Sequence, residues 1–344
     1  MKIGLVLGGG GLVGMGYHAG ALKALEEWGA DPTKADLVVG TSAGAVLGSY
    51  LRTGWTATDF YEYAHGNHPS AEKTVDDQRD QVREIFTPLW HGGSERARRA
   101  IGSVFAAASS RGLWRKIGGK IPTSRLRHAF PAGMYSTDNT RERLHDDLPE
   151  EWPDGALYLM AADLYAGRRV AFGRPGAPEA TLPEAVLAST AIPNVFPPVK
   201  IGERHYVDGG VKSATSLDMA TKDGCDAIIC VAPLGFRRDD GLSRTDLKLY
   251  PPMVLRSLFA RALRREVLAA RKEDVEVLVV RPWLTELKAH GTNSMRHFDR
   301  GPLVDAAREG TLRLLEENAD HPALAAFAAK SAKSSKKKRK ESIG

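Results

Sequence analysis

Short, nearly unbroken apolar runs recur along the chain and alternate with longer segments in which apolar residues return every three or four positions. The runs at 2–8, 35–40, 157–163, 168–173, 204–207, 226–232 and 275–281 predict strands. The segments 16–28, 43–53, 56–65, 94–107, 183–189, 214–222, 252–272 and 302–317 predict helices. Alternation of the two element types predicts an α/β fold built on a sheet. Residues 65–150 break the alternation: they are polar and arginine-rich, with few β-branched runs, and predict a helical insertion over the sheet. No internal repeat is present.

The first predicted strand runs into Gly8-Gly9-Gly10-Gly11-Leu12-Val13-Gly14, in which Gly9, Gly11 and Gly14 satisfy G-x-G-x-x-G. A dinucleotide site would need an acidic residue about 20 positions later, at the end of the second strand. Asp31 has nearly that spacing but stands beside Pro32 in a loop, and the second strand ends in Thr41-Ser42. No Gly-Lys-Ser/Thr follows, so a phosphate-binding P-loop fits less well. The glycines do supply successive backbone N–H groups aimed at one spot, which can hold a phosphate or a developing oxyanion. A nucleotide-binding regulatory protein using the Gly9–Gly14 loop is therefore the alternative to an enzyme.

The second strand favours the enzyme. Gly40-Thr41-Ser42-Ala43-Gly44 is a G-x-S-x-G sequence between an apolar strand and a predicted helix, the strand–turn–helix context of a nucleophile elbow. A serine there sits on a sharp, strained turn, with the positive end of the following helix beside the charge that would develop. Its base has two candidate sources. A Ser–acid–His chain order would use His290 or His297 after Asp208. Alternatively a carboxylate acts directly: Ala191-Ile192-Pro193-Asn194-Val195-Phe196-Pro197-Pro198 leads to Tyr206-Val207-Asp208-Gly209-Gly210, where Asp208 ends a short strand.

With the glycine loop, the elbow, the Ser189-Thr190-Ala191-Ile192-Pro193…Phe196-Pro197-Pro198 segment and Asp208-Gly209-Gly210 in this order, the chain resembles the patatin-like phospholipase family over roughly residues 3–222. The resemblance implies a three-layer α/β/α fold and cleavage of acyl esters of lipids by a Ser–Asp dyad without histidine. Carried onto this sequence, Ser42 is the nucleophile, Asp208 the base, and the N–H groups of Gly9, Gly10 and Gly11 the oxyanion hole. Gly14, Gly40, Gly44, Gly209 and Gly210 support the motifs. An acyltransferase would use the same dyad. The sequence departs from the family twice. Val13 stands where the family's loop usually carries Arg or Lys, and Val211-Lys212-Ser213-Ala214-Thr215 replaces the Asn-Pro pair common after the aspartate.

Charge refines this picture. The formal net charge of the 344-residue chain is +6, with 48 Lys and Arg against 42 Asp and Glu. Residues 330–344 hold seven of the bases and one acid, so 1–329 is neutral. The expected organisation is one domain over 1–329 and a disordered basic tail over 330–344. Within the neutral body, residues 94–128 carry nine basic side chains against Glu95 alone, interleaved with apolar residues. That stretch and the arginine-rich segment 252–272 are candidates for peripheral contact with an anionic membrane. The tail's affinity for nucleic acid would be electrostatic and non-specific.

No apolar run is long enough to span a bilayer, and the short apolar N-terminus runs straight into glycines without a cleavage site, so a cytoplasmic or membrane-surface location is expected. Cys225 and Cys230 read as core thiols in one buried strand. The ten histidines, His18 and His205 among them, show no metal-ligand spacing, and no cofactor is implied.

Overall fold

The computed structural model describes residues 1–71, 80, 82–89, 133–193, 195–237, 251–283, 286 and 300–341, the side chains of 251–255 and 335–341 excepted. β1 (Ile3–Leu7) leads into α1 (Gly11–Glu27), and β2 (Leu37–Thr41) into α2 (Ala43–Arg52) and α3 (Ala57–Ala64). After α4 (Asp138–Asp147) come β3 (Ala156–Asp163), β4 (Arg169–Phe172), α5 (Leu182–Thr190), β5 (Val199–Ile201) and β6 (Arg204–Asp208). Then follow α6 (Asp218–Lys222), β7 (Ala227–Val231), α7 (Pro251–Arg271), β8 (Glu276–Val280), α8 (Arg300–Glu317) and α9 (Pro322–Glu341).

The strands form one eight-stranded sheet whose parallel centre runs β3-β2-β1-β7-β8, with β4 and β6 antiparallel to β3 and β5 antiparallel to β6. Successive side chains of a strand point to opposite faces, so an apolar run feeds two cores. Leu5 and Leu7 of β1 and Ile229 of β7 enter one core, covered by α1, α2, α3, α5, α8 and α9. Val6 and Cys230 enter the other, covered by α6 and α7 through Met219, Leu263 and Ala270. The layers are α/β/α, and the described helices fall on both faces. Leu5, Leu22 and Leu159 are fully buried, and cutting any of them back to alanine would cost about 2–5 kcal/mol.

Each predicted strand is present, and the sheet adds the short β5. The helices differ in three places. α1 begins at Gly11, so the glycine loop is itself the mouth of the helix. The helix predicted over 214–222 is confined to α6, because Ser216 takes φ 52° and the loop before it bonds elsewhere. The basic tail leaves the domain later than residue 330. Ser331 is buried and its hydroxyl accepts the Asp31 N–H at 2.9 Å, while Lys330 pairs with Asp36. The Ala- and Phe-bearing face that starts α9 carries the helix past the point where lysines begin to dominate. Of the predicted insertion, α4 is observed, whereas the helix expected over 94–107 and the basic stretch 94–128 lie wholly outside the described residues. No helix among the described residues is long and apolar enough to cross a membrane.

Candidate active site

The register of β3 creates the site. Thr41, the last residue of β2, pairs with Met160, and Asp208, the last residue of β6, pairs with the next residue, Ala161. β2 runs parallel to β3 and β6 antiparallel to it, so their C-terminal ends converge. β4 occupies Leu159–Ala162 on the opposite edge, which leaves β2 and β6 to meet end to end on one edge. Ser42 follows Thr41 at that junction, next to Asp208, whose carboxyl its hydroxyl pulls down in pKa. Both side chains are buried.

Ser42 has φ 54° and ψ −119°, a left-handed conformation that costs a non-glycine residue of order 1–3 kcal/mol. The turn persists because its neighbours leave no alternative. Gly44 passes so close to β1 that a Cβ there would lie 2.0 Å from the Leu7 carbonyl oxygen. The Ser42 N–H is held by the Ser189 hydroxyl at 3.0 Å, and that hydroxyl donates to the Met160 carbonyl at 2.7 Å. Ser42 is also the N-cap of α2, its carbonyl accepting the Ala45 N–H at 2.8 Å.

Burial pushes the Asp208 carboxyl up to about 6, while the Ser42 hydroxyl and a hydrogen bond from the Gly210 N–H pull it back down. The Gly210 bond is 2.7 Å. The aspartate is thus ionised at neutral pH yet far more basic than a solvated one, which is the poise a general base needs.

The three glycines of the loop are not equivalent. The Gly9 N–H is donated to the Ala214 carbonyl at 2.7 Å, so it is committed to the fold and does not stand open to a ligand as expected. Gly10 and Gly11 follow at the mouth of α1, and among the described residues no acceptor pairs with their N–H groups. Gly11 has φ 62°, which turns its N–H out of the line of the strand; a side chain would disfavour this turn. Gly9 packs against the elbow itself, with an added Cβ reaching the Ser42 Cβ at 3.4 Å.

Of the histidines, His18 is fully buried with Nε2 2.7 Å from the Gly8 carbonyl oxygen, and burial pushes it down to about 4. It is neutral at pH 7 and anchors the end of β1. His205 stacks edge-on to Tyr165. His290 and His297 lie outside the described residues. Cys225 and Cys230 are buried free thiols, Cys230 in β7 and Cys225 just before it.

A cavity of about 540 Å³ opens onto Ser42. Met15, Leu47, Trp55, Phe60 and Phe196 give it an apolar body. Its charged lining is mixed: the Tyr63 hydroxyl accepts from Arg143 at 3.0 Å and its ring lies under the Arg300 guanidinium, while Glu84, Asp146 and Asp147 line the same cavity and Arg143 pairs with Asp147 at 3.5 Å.

The family model for patatin-like phospholipase matches residues 5–221, well over half of the chain. The chain belongs to the patatin-like phospholipase family. Uncharacterized NTE family proteins of Mycobacterium bovis and Mycobacterium tuberculosis are each 25% identical to it over 234 residues, 67% of this chain. The match spans only 30% of those relatives' length. Among solved structures, VipD from Legionella pneumophila aligns over 92% of this chain and 67% of its own, at 18% identity and a TM-score of 0.40. The type III effector protein ExoU aligns over 92% and 53%, at 18% identity and a TM-score of 0.37.

Two residues that the patatin-like motifs do not single out support the site. Ser189 opens the segment quoted above, yet nothing in that segment says its hydroxyl would carry the elbow. Glu266 lies in α7, beyond the family match, and its carboxylate accepts from Ser213, Thr215 and Leu217. A run of Ser and Thr after Asp208-Gly209-Gly210 was the available signal; the partner 50 residues later was not.

Proposed function

We propose that the protein hydrolyses fatty-acyl esters of phospholipids or related lipids through an acyl-enzyme on Ser42. Asp208 accepts the hydroxyl proton as Ser42 Oγ attacks the ester carbonyl, and the tetrahedral oxyanion is received by the N–H groups of Gly10 and Gly11. Collapse expels the alcohol, which takes the proton back from Asp208. Water then attacks the acyl-enzyme, Asp208 takes one of its protons, and Ser42 Oγ leaves with that proton as the carboxylic acid forms. The positive end of α2 at Ser42 and that of α1 at Gly11 favour the charge developing between them.

The observation that carries this reading is the meeting of Ser42 and Asp208, both buried, at the convergence of β2 and β6, with burial raising the carboxyl to about 6. The cavity supports a lipid: an apolar body accepts an acyl chain, and the mixed lining of Arg143, Tyr63 and Arg300 with Glu84, Asp146 and Asp147 accepts a polar head. Such substrates reside in bilayers, so the enzyme works in peripheral contact with a membrane surface. Transfer of the acyl group to a lipid alcohol would use the same residues, and product analysis separates it from hydrolysis.

The test is a lipid-panel hydrolysis assay with Ser42→Ala as control, alongside labelling by a serine-directed fluorophosphonate. Wild type should release fatty acid and take the label, and Ser42→Ala should do neither. Turnover in Ser42→Ala equal to wild type would overturn the assignment.

A further inference from the structure

Helix α7 has two faces with different chemistry. Leu258 and Leu268 are 52% and 47% exposed. Arg261, Arg264, Arg265 and Arg271 are exposed around them, and among the described residues none of the four is in an ion pair. The positions 258, 261, 265, 268 and 272 follow the three-four spacing of one helical stripe about 21 Å long. Cations flanking leucines suit an interface where phosphates lie above hydrocarbon. A nucleic-acid backbone would have no use for the leucines.

The opposite face reaches the catalytic machinery at two points. Glu266 accepts hydrogen bonds from the hydroxyls of Ser213 at 2.5 Å and Thr215 at 2.6 Å and from the Leu217 N–H at 3.2 Å. The loop so held contains Ala214, whose carbonyl takes the Gly9 N–H. One turn from the start of the helix, buried Arg256 donates to the Pro233 carbonyl at 2.8 Å, and Pro233 packs where a Cβ on Gly10 would meet it at 2.9 Å. α7 thereby braces both the segment after Asp208 and the glycine loop, doing here what the sequence departures after Asp208 left without a partner.

We propose that α7 docks the protein on an anionic bilayer through its outer face while Glu266 on its inner face holds the loop behind Ser42 and Asp208. Glu266 is a positioning residue that acts through Ser213, Thr215 and Ala214. The positioning part rests on the hydrolase reading above, whereas docking can be measured without it.

The test uses the full chain, sedimented with phosphatidylcholine vesicles with or without phosphatidylglycerol, and assayed on a short soluble ester. Wild type and Ser42→Ala should bind the anionic vesicles and not the neutral ones. Arg261→Gln with Arg265→Gln should weaken that binding about thirtyfold and leave soluble-ester turnover unchanged. Glu266→Gln should keep vesicle binding but lower kcat on the soluble ester about tenfold at unchanged KM. Should Glu266→Gln melt early, Thr215→Val removes one of the same bonds while keeping the carboxylate and its bonds to Ser213 and Leu217, and should show the same split. Equal binding to neutral vesicles or undiminished binding by the double arginine variant would overturn docking. Wild-type kcat in the Glu266 and loop variants would overturn the positioning role. A wild type that binds anionic vesicles but cleaves no ester would sink the hydrolase reading and leave docking standing.

Discussion

The Ser42 N–H rests on the hydroxyl of Ser189, 147 residues away along the chain, and the same hydroxyl ties the Met160 carbonyl of β3. A single buried side chain thus locks the strained elbow to the strand on which Asp208 pairs. Ser189→Ala would orphan a buried donor and a buried acceptor at a cost of about 1–3 kcal/mol. It should lower the urea midpoint and reduce kcat more than KM; an unchanged midpoint would show that the elbow needs no such support.

The elbow itself stores strain. Ser42→Gly relieves a φ of 54° and should raise stability by about 1 kcal/mol while removing all fluorophosphonate labelling. Thermal melts of the two proteins at one pH decide this.

Asp208 gives the pH dependence its sign. In the proposed role of base it must be ionised, so kcat/KM for a soluble ester should rise with pH and level off above about 6. Its folded pKa lies above the unfolded value of 3.8, so the native state binds the extra proton between those pH values and loses stability as pH rises through them. Asp208→Asn escapes that loss: it should be inactive yet about 2–3 kcal/mol more stable than wild type at pH 8, with the gain vanishing near pH 4. Denaturant titrations at both pH values measure the difference.

Gly11 is the sharper test of the oxyanion donors. Gly11→Ala adds a side chain at φ 62°, costing about 1–2 kcal/mol of stability, and should lower kcat about a hundredfold by turning its N–H away. A stable Gly11→Ala protein with wild-type kcat would remove Gly11 from the donor set.

The cavity predicts selectivity. Met15→Trp fills apolar space beside Ser42 and should lower kcat/KM for long-chain esters about tenfold more than for an acetyl ester. Competition between two chain lengths in one reaction reads that ratio directly.

The sequence alone determined the sheet and the residue types of the site. Apolar runs such as Ile3–Leu7 and Ala227–Val231 allow little but buried parallel strands, and Gly40–Gly44 between a strand and a helix allows little but an elbow. Local patterns fix local geometry. Only the tertiary structure decided which of those residues meet. Ser42 and Asp208 become partners because two strands of opposite direction end on adjacent residues of β3, a register no local pattern encodes. It likewise withdrew Gly9 from the open donors, by placing the Ala214 carbonyl within 2.7 Å of its N–H, and gave the loop after Asp208 its anchor in Glu266. Hydrogen bonds between segments far apart in the chain are decided by packing, and packing is settled only when the whole sheet closes.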